Sequence, residues 1–596
     1  MALFAVFFVA FFVIRFLLLS YLYPEKKKGG QEVSNPGQLA EIDGGIAKIN
    51  GKTWVGWSVF EHIERGLKRN PDGPAVISMF QQSDCLDYLL SADQENKSII
   101  SPHRPNTRST SHGLPNGFHR EDGSSPIKPI HSPGKQPGAD GPEDKKGSTK
   151  GSRTESDCLV LSYSQLHSAA LKLAAGLIAN GAQPYSNILM FIPNGGEYTV
   201  LLWACILLRI TYVSLDPILL ESSGSLALKQ TLRTLKPQLI VVNDASSSSA
   251  LDVAVAELQL AQPIRLSILP SRTAGWKSFV DVVFDATNYP IDEASLIATA
   301  RNDNARRIHS IMFTSGTSGN PKGCPMSIAN MSHVLHSQSW LVDSRAGAFA
   351  LQQPHNSRGI APAQTLQTWR AGGAVVMSGQ NFHVGAVTEA IRRFQVTFIV
   401  LTPPMVHELA AELASKRLDV SCVKRTQVGG DAVTRGVLSR CANLFPQAQV
   451  CVNHGMTEGG GSFLWPYLEK PVKDISFFGE TCPIGTVAPG AMIRIWDTEK
   501  MRVAKKGELG ELHISSDSII QHYLESRSEE SFYEDGKGRW FRTGDWAMVN
   551  SSGLVYILGR KKDMIRRAGV GIMPAAIESS LEAFTGKQVR KVRFDC

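Results

Sequence analysis

A chain of 596 residues exceeds what a single hydrophobic core organises, so several packed units are expected. With 43% hydrophobic and 19% charged residues, the composition excludes a globally disordered or collagen-like chain. The net charge of +8 is mild for this length, and much of the excess lies at Lys26, Lys27 and Lys28 and near the C-terminus, which argues against a nucleic-acid partner. Nine cysteines, at positions 85, 158, 205, 324, 422, 441, 451, 482 and 596, show no CxxC spacing. Such a scattered, odd set fits reduced, mostly buried thiols in a cytosolic compartment, not a disulfide framework or a zinc site.

In chain order, residues 1–24 read as a membrane anchor. Residues 2–14 are unbroken and apolar, with five phenylalanines, and Arg15 separates them from a second apolar stretch ending at Tyr23. Together they are about long enough to cross a bilayer as a helix. No basic residue precedes the run and no small-x-small site follows it, so a cleaved signal peptide is not expected. The lysines at 26–28 lie C-terminal to the segment, which leaves the body of the protein facing the cytoplasm. A mid-membrane Arg15 costs roughly 2.5–3.5 kcal/mol on insertion scales. A monotopic anchor with Arg15 at the headgroups therefore stays open beside a single span.

Residues 25–50 read as a polar linker, and residues 51–92 open a globular domain. The stretch VFEHIERGLKRNPDGPAVISMF at 59–80 predicts an amphipathic helix, a turn at Asn70-Pro71-Asp72-Gly73 and a strand. Residues 93–157 are dense in Ser, Pro, Gly, Lys and His without apolar periodicity, the composition of a disordered insertion. Strand and helix signals resume at 158–163 and 166–178, then at 188–193, 197–208 and 212–215, and strands recur at 373–377, 398–401 and 449–452. Strands alternating with helices predict an α/β fold with a parallel sheet over residues 158–561.

The segment Thr314-Ser315-Gly316-Thr317-Ser318-Gly319-Asn320-Pro321-Lys322-Gly323 follows an apolar strand end, Ile311-Met312-Phe313. Small residues let backbone N–H groups approach anionic oxygens, the hydroxyls add donors, and Lys322 adds a point charge suited to a polyphosphate. A flexible surface loop has the same composition. A P-loop requires Gly-Lys-Ser/Thr opening a helix, so the Pro321-Lys322-Gly323 context excludes a P-loop kinase. Further along come Gly429-Gly430-Asp431-Ala432, Asn453-His454-Gly455-Met456-Thr457-Glu458, Trp540-Phe541-Arg542-Thr543-Gly544-Asp545 and Gly559-Arg560-Lys561-Lys562-Asp563. Each alone reads as an ordinary turn.

In this order the segments resemble the acyl-adenylate-forming superfamily of acyl-CoA synthetases, luciferases and peptide-synthetase adenylation domains. The resemblance covers the chain from about residue 51 onward, with Leu161-Ser162-Tyr163-Ser164-Gln165-Leu166 and Pro193-Asn194 as early matches that more simply mark core packing. It implies a large N-terminal adenylate-forming domain of layered, mostly parallel sheets with helices, a small β-rich segment, and a C-terminal α+β domain present only as a stub at 562–596. It also implies that Thr314, Ser315, Gly316, Thr317, Ser318, Gly319 and Lys322 hold phosphates. By the same resemblance Gly430 and Asp431 line the adenine, His454 flanks it where the family usually has tyrosine, and Gly455 and Met456 belong to the ATP/AMP-binding set. Thr457 donates to a phosphate, Glu458 holds Mg²⁺, Asp545 grips the ribose diol, Arg560 contacts ribose or phosphate, and Lys562 is the hinge. His355 and Asn356 fall beside the expected acyl pocket, and Gly569 matches the glycine that admits the second thiol.

The implied reaction joins a carboxylic acid to ATP, giving acyl-AMP and pyrophosphate, then a thioester with CoA or a carrier protein's phosphopantetheine arm. The catalytic set is Lys322, Thr457, Glu458 and Lys562, and the apolar N-terminus points to a lipophilic acid. The family's late catalytic lysine has no clear counterpart. Lys587, in Thr585-Gly586-Lys587, comes too soon after Glu578 to be it, so a catalytically impaired nucleotide- or acyl-binding protein is the third reading.

Overall fold

The computed structural model describes residues 41–43, 46–48, 56–90, 158–221, 225–271, 273–287, 289–314, 321–342, 347–415, 418–524, 528–567, 570–572, 574 and 577. The candidate anchor, the insertion at 93–157, Gly569 and Lys587 lie outside the described residues. Among those described, no helix is long and apolar enough to cross a membrane.

Three sheets organise the described residues. The first runs in the order Gly323–Ser327, Ile308–Phe313, Thr211–Ser214, Asn187–Phe191, Leu239–Val242, Ile264–Ser267 and Trp276–Ser278. It is parallel except for its edge hairpin, where Ile308–Phe313 and Gly323–Ser327 run antiparallel. The second runs Gln449–Val452, Arg425–Val428, Phe398–Leu401, Phe349–Gln352, Ala374–Met377, Pro74–Ser78 and Leu159–Ser162. Here only the last strand is antiparallel. These strands are short apolar runs such as Phe398-Ile399-Val400-Leu401, as expected for sheets covered on both faces.

Helices separate the two parallel sheets. The helix Gly196–Leu208 is apolar on every side and almost wholly buried, which is how a helix reads when it has no solvent face. Its Trp203 packs 5.1 Å from Trp369, on the helix Ile360–Ala371, and 6.5 Å from Tyr163. The Leu161–Leu166 motif is explained by local chemistry. Ser162 and Gln165 form a reciprocal capping box that starts the helix Tyr163–Ala179. Tyr163 then donates its phenol proton to the carbonyl of Gly373 at 2.7 Å, tying that helix to the second sheet.

The third sheet is antiparallel: Glu41–Asp43, Ile46–Lys48, Met492–Asp497, Gly510–Ser515, Gly538–Val549 and Phe532–Asp535, with Arg502–Val503 and Val555–Arg560 attached. One expectation is corrected here. The end of the stretch read as linker is paired, since Ile46–Lys48 lies antiparallel to Met492–Asp497. The β-rich part that the resemblance implies is an eight-stranded sheet among the described residues. Three-residue strands are too short for a period of two to register in sequence. The cysteines at 158, 205, 324, 441, 451 and 482 are buried and stand in no disulfide among the described residues.

Candidate functional site

The site is assembled where the carboxyl ends of both parallel sheets meet the long strands of the third, the usual place for ligands in open α/β sheets. From the first sheet come Thr314 and Lys322, the two ends of the phosphate-loop candidate. Their backbones close the hairpin, with Thr314 N–H donating to the Lys322 carbonyl and Lys322 N–H donating to Thr314 Oγ1, both at 3.0 Å. The residues between, Ser315 to Asn320, lie outside the described set, so the roles of Ser315, Gly316, Thr317, Ser318 and Gly319 rest on sequence.

From the second sheet come the turns after Val428 and Val452. A Cβ on Gly429 would stand 2.7 Å from the Asn453 carbonyl, so glycine lets these two turns touch. Gly430 has φ +83°, a conformation that only glycine adopts readily. Asp431 is exposed and accepts from the Ala432 N–H at 2.7 Å. His454 meets Phe463 edge to face at 5.3 Å. Gly455 and Met456 pair with Gly459 and Gly460 in a tight hairpin whose turn carries Thr457 and Glu458.

From the third sheet come Asp545 and Arg560, directly opposite in register on adjacent strands. Arg560 Nη1 lies 3.1 Å from Asp545 Oδ1 and donates to the Thr543 carbonyl at 2.8 Å. Asp545 Oδ2 is 3.7 Å from His454 Nε2, which brings the second and third sheets' contributions together. Lys562 is exposed in the short turn Lys561–Asp563, next to Lys561, which pairs with Glu511 at 3.1 Å.

Between the first two groups stands Tyr523, a residue the motifs did not indicate. Its hydroxyl donates to Glu458 Oε1 at 2.6 Å, and Lys322 Nζ sits over its ring at 4.6 Å. Burial, then the adjacent Glu458 charge, push the phenol far above its ordinary pKa, so it remains a donor at neutral pH. Gln338 was also missed: it donates to Asn453 Oδ1 at 3.3 Å and steadies the turn before His454. No local signal marks either residue, because both act through contacts distant in sequence.

His355 and Asn356 follow the strand Phe349–Gln352 and are both buried. Their bonds brace the backbone. Asn356 donates to the Ile192 carbonyl, and its own N–H donates to Asn194 Oδ1, each at 2.9 Å. His355 Nδ1 lies 2.9 Å from Ser357 Oγ, and burial lowers its pKa, favouring the neutral ring. Asn194, in the Pro193-Asn194 match, also donates to the carbonyls of Pro354 and Gly379, so it clamps this end of the two sheets together.

Among the described residues no cluster of three or more His, Cys, Asp or Glu side chains is built to cage a metal. A single carboxylate such as Glu458 suits Mg²⁺, which keeps most of its waters and takes its other oxygens from phosphates.

Known proteins share these features. The sequence pattern of the family described as "AMP-binding enzyme" matches residues 152–524. An acyl-CoA ligase of Pestalotiopsis microspora is 44% identical over 532 residues, 89% of this chain and 83% of that protein. A mitochondrial medium-chain acyl-CoA ligase of Mus musculus is 24% identical over 447 residues, covering 70% of this chain and 69% of its own. Among solved structures, a long-chain-fatty-acid-CoA ligase from Archaeoglobus fulgidus superposes with a TM-score of 0.62 at 16% identity, over 92% of this chain and 90% of that one. ATP-bound MatB from Rhodopseudomonas palustris gives a TM-score of 0.58 at 19% identity, over 71% and 78%. At these identities the two structures speak to the fold alone.

Proposed function

Because the chain belongs to the AMP-binding enzyme family, we infer that it is an AMP-forming ligase that activates a carboxylic acid with ATP and transfers the acyl group to a thiol. The observation that carries this reading is the convergence of Lys322, Glu458, Asp545 and Arg560 from three separate sheets. A lysine and a lone carboxylate face one end of the site, and a buried carboxylate paired with arginine faces the other. That is the order of charges a nucleoside triphosphate needs.

In the first step a substrate carboxylate oxygen attacks the α-phosphorus of ATP. The α-phosphorus bond to the bridging oxygen breaks, and pyrophosphate leaves with the electron pair. Lys322 and the Thr457 hydroxyl offset the charge of the phosphates, and Asp545 holds the ribose hydroxyls. Glu458 is the residue that would hold Mg²⁺, which would supply charge neutralisation to the phosphates. In the second step a thiolate attacks the acyl carbon and AMP departs, leaving a thioester. We take CoA as the acceptor, since the 44% identical relative above is named an acyl-CoA ligase. A lipophilic acid and membrane attachment through residues 2–23 are supported by the apolar N-terminus alone.

The test is carboxylate-dependent pyrophosphate release from ATP by the full chain in detergent. It should be run across acids of increasing length, with free CoA or a phosphopantetheinylated carrier protein. Acid-dependent release that CoA accelerates is expected. Release stimulated only by the carrier would transfer the reading to carrier loading. ATP binding without acid-dependent release would refute the ligase reading for this chain, and preference for small aryl acids would refute the lipophilic substrate.

A further inference from the structure

The segment from Ser516 to Leu524 crosses from the third sheet to the phosphate-loop hairpin as a strap, and it is fastened at four points. The Asn330 side-chain amide donates to the carbonyls of Asp517, at 2.6 Å, and Ile519, at 3.1 Å. Ile520 N–H donates to the Glu458 carbonyl, and Leu524 N–H to the Gly323 carbonyl, both at 2.9 Å. The fourth fastening is the Tyr523 hydroxyl on Glu458 Oε1.

Two glycines make the approach possible. A Cβ on Gly459 would stand 2.4 Å from the Ser518 carbonyl oxygen, and one on Gly323 would stand 2.7 Å from Leu524 Cδ1. The strap therefore touches the phosphate hairpin on one side and the Glu458 turn on the other, with Tyr523 between them. Its hydroxyl, which also interacts with Ser531, holds one carboxylate oxygen. That bond engages Glu458 Oε1 and leaves Oε2 as the oxygen for a cation. The ring, at 4.6 Å, gives the Lys322 ammonium a face to rest on.

We propose that Tyr523 is a positioning residue: it orients the Glu458 carboxylate toward the cation that accompanies ATP and fixes Lys322 beside it. The proposal rests on the reading of this site as one for ATP. A loose glutamate would have to lose side-chain freedom each time the nucleotide bound, and the phenol removes that freedom in advance.

The experiment is calorimetric titration of the full chain with ATP, in excess MgCl₂ and again in EDTA, for wild type, Y523F, E458Q and the double variant. Wild type binds more tightly with magnesium, and that difference is the readout. Y523F keeps its affinity in EDTA and loses about tenfold in magnesium, the scale of one charge-assisted hydrogen bond. The double variant is no weaker than E458Q, because both changes remove the same oriented carboxylate. N330A, which loosens the strap and leaves the phenol in place, lowers the magnesium effect by a smaller factor and is a second reading should Y523F fold poorly. Y523F that melts earlier than wild type yet keeps the full magnesium effect would make Tyr523 a buttress only and overturn the proposal. So would losses in the double variant that simply multiply. Wild type that binds no ATP under either condition would refute the nucleotide reading, and the proposal with it.

Discussion

Replacing Asp545 with asparagine separates the cost to the fold from the cost to the site. The carboxylate is buried, yet its partner Arg560 is half exposed, with 52% of its side chain accessible, and keeps its bond to the Thr543 carbonyl. No buried charge is orphaned, so D545N is expected to cost the fold about 1 kcal/mol or less, the range of exposed ion pairs. Nucleotide binding suffers more. A carboxylate accepts from both ribose hydroxyls, and asparagine keeps one neutral acceptor and turns the other into a donor. Charge-assisted bonds contribute about 1.5–3 kcal/mol each, so a loss of about 2–3 kcal/mol, or roughly 30- to 150-fold in Kd, is expected. Titration with ATP and with 2′-deoxy-ATP reads this out, because wild type should prefer ATP and D545N should be nearly indifferent. A D545N protein that still discriminates the two nucleotides would remove Asp545 from the ribose.

Lys322→Ala takes a positive charge from the end of the phosphate hairpin and should slow acid-dependent pyrophosphate release by about ten- to a hundredfold, with the fold intact; an unchanged rate would place the phosphates elsewhere. Gly459→Ala drives a Cβ to 2.4 Å from the Ser518 carbonyl in a backbone with φ +154°, which should cost about 2–3 kcal/mol of stability and weaken magnesium–ATP binding. Gly536→Ala meets nothing within 4 Å and should change stability by no more than about half a kcal/mol; equal losses in both would show that the strap is not packed as described. Acid stability is set partly by His513, whose pKa is lowered to about 3, first by burial and then by Arg542, Arg494 and Lys561. Its folded pKa lies below the ordinary value of about 6.5, so the unfolded chain takes up the proton first. Stability is full above about pH 7 and falls as pH drops toward 3, by about 1 kcal/mol from this residue at pH 5.5. Denaturation midpoints of wild type and H513Q, compared at pH 7.5 and 5.5, should converge on acidification; parallel loss in both would exclude His513.

What the sequence disclosed follows from what each residue needs. The phosphate, ribose and metal contacts proposed here call for particular side chains at particular turns, so Lys322, Glu458, Asp545 and Arg560 were visible as types at spacings, and the structure brings Lys322 and Glu458 together through Tyr523 and Asp545 and Arg560 together beside His454. The buried parallel strands were visible because a sheet covered on both faces leaves an unbroken apolar run, as at Ala374–Met377. Asn356 shows the limit. The resemblance placed it beside an acyl pocket, but sequence does not say which way an amide points, and this one turns to the Ile192 carbonyl. Tyr523 was invisible for a related reason. Its neighbours carry no period or motif, and its importance comes from Gly323 and Gly459, far away in the chain, which admit the strap.

The three-sheet origin of the site has an energetic consequence. The phosphate hairpin belongs to the first sheet, the His454–Glu458 turn follows the second, and Asp545 and Arg560 lie on the third. No one sheet carries enough of the charge pattern to hold a nucleoside triphosphate, so affinity depends on the sheets' mutual placement. By linkage, a nucleotide that binds only this arrangement stabilises it, by about 2.7 kcal/mol at a hundred times its Kd. Contacts that fix the sheets without touching ligand, such as Asn194 across Pro354 and Gly379, therefore act on affinity as well as on folding. Substitutions there should raise Kd in step with their loss of stability, whereas D545N should raise Kd by far more than its cost to the fold of about 1 kcal/mol or less would imply.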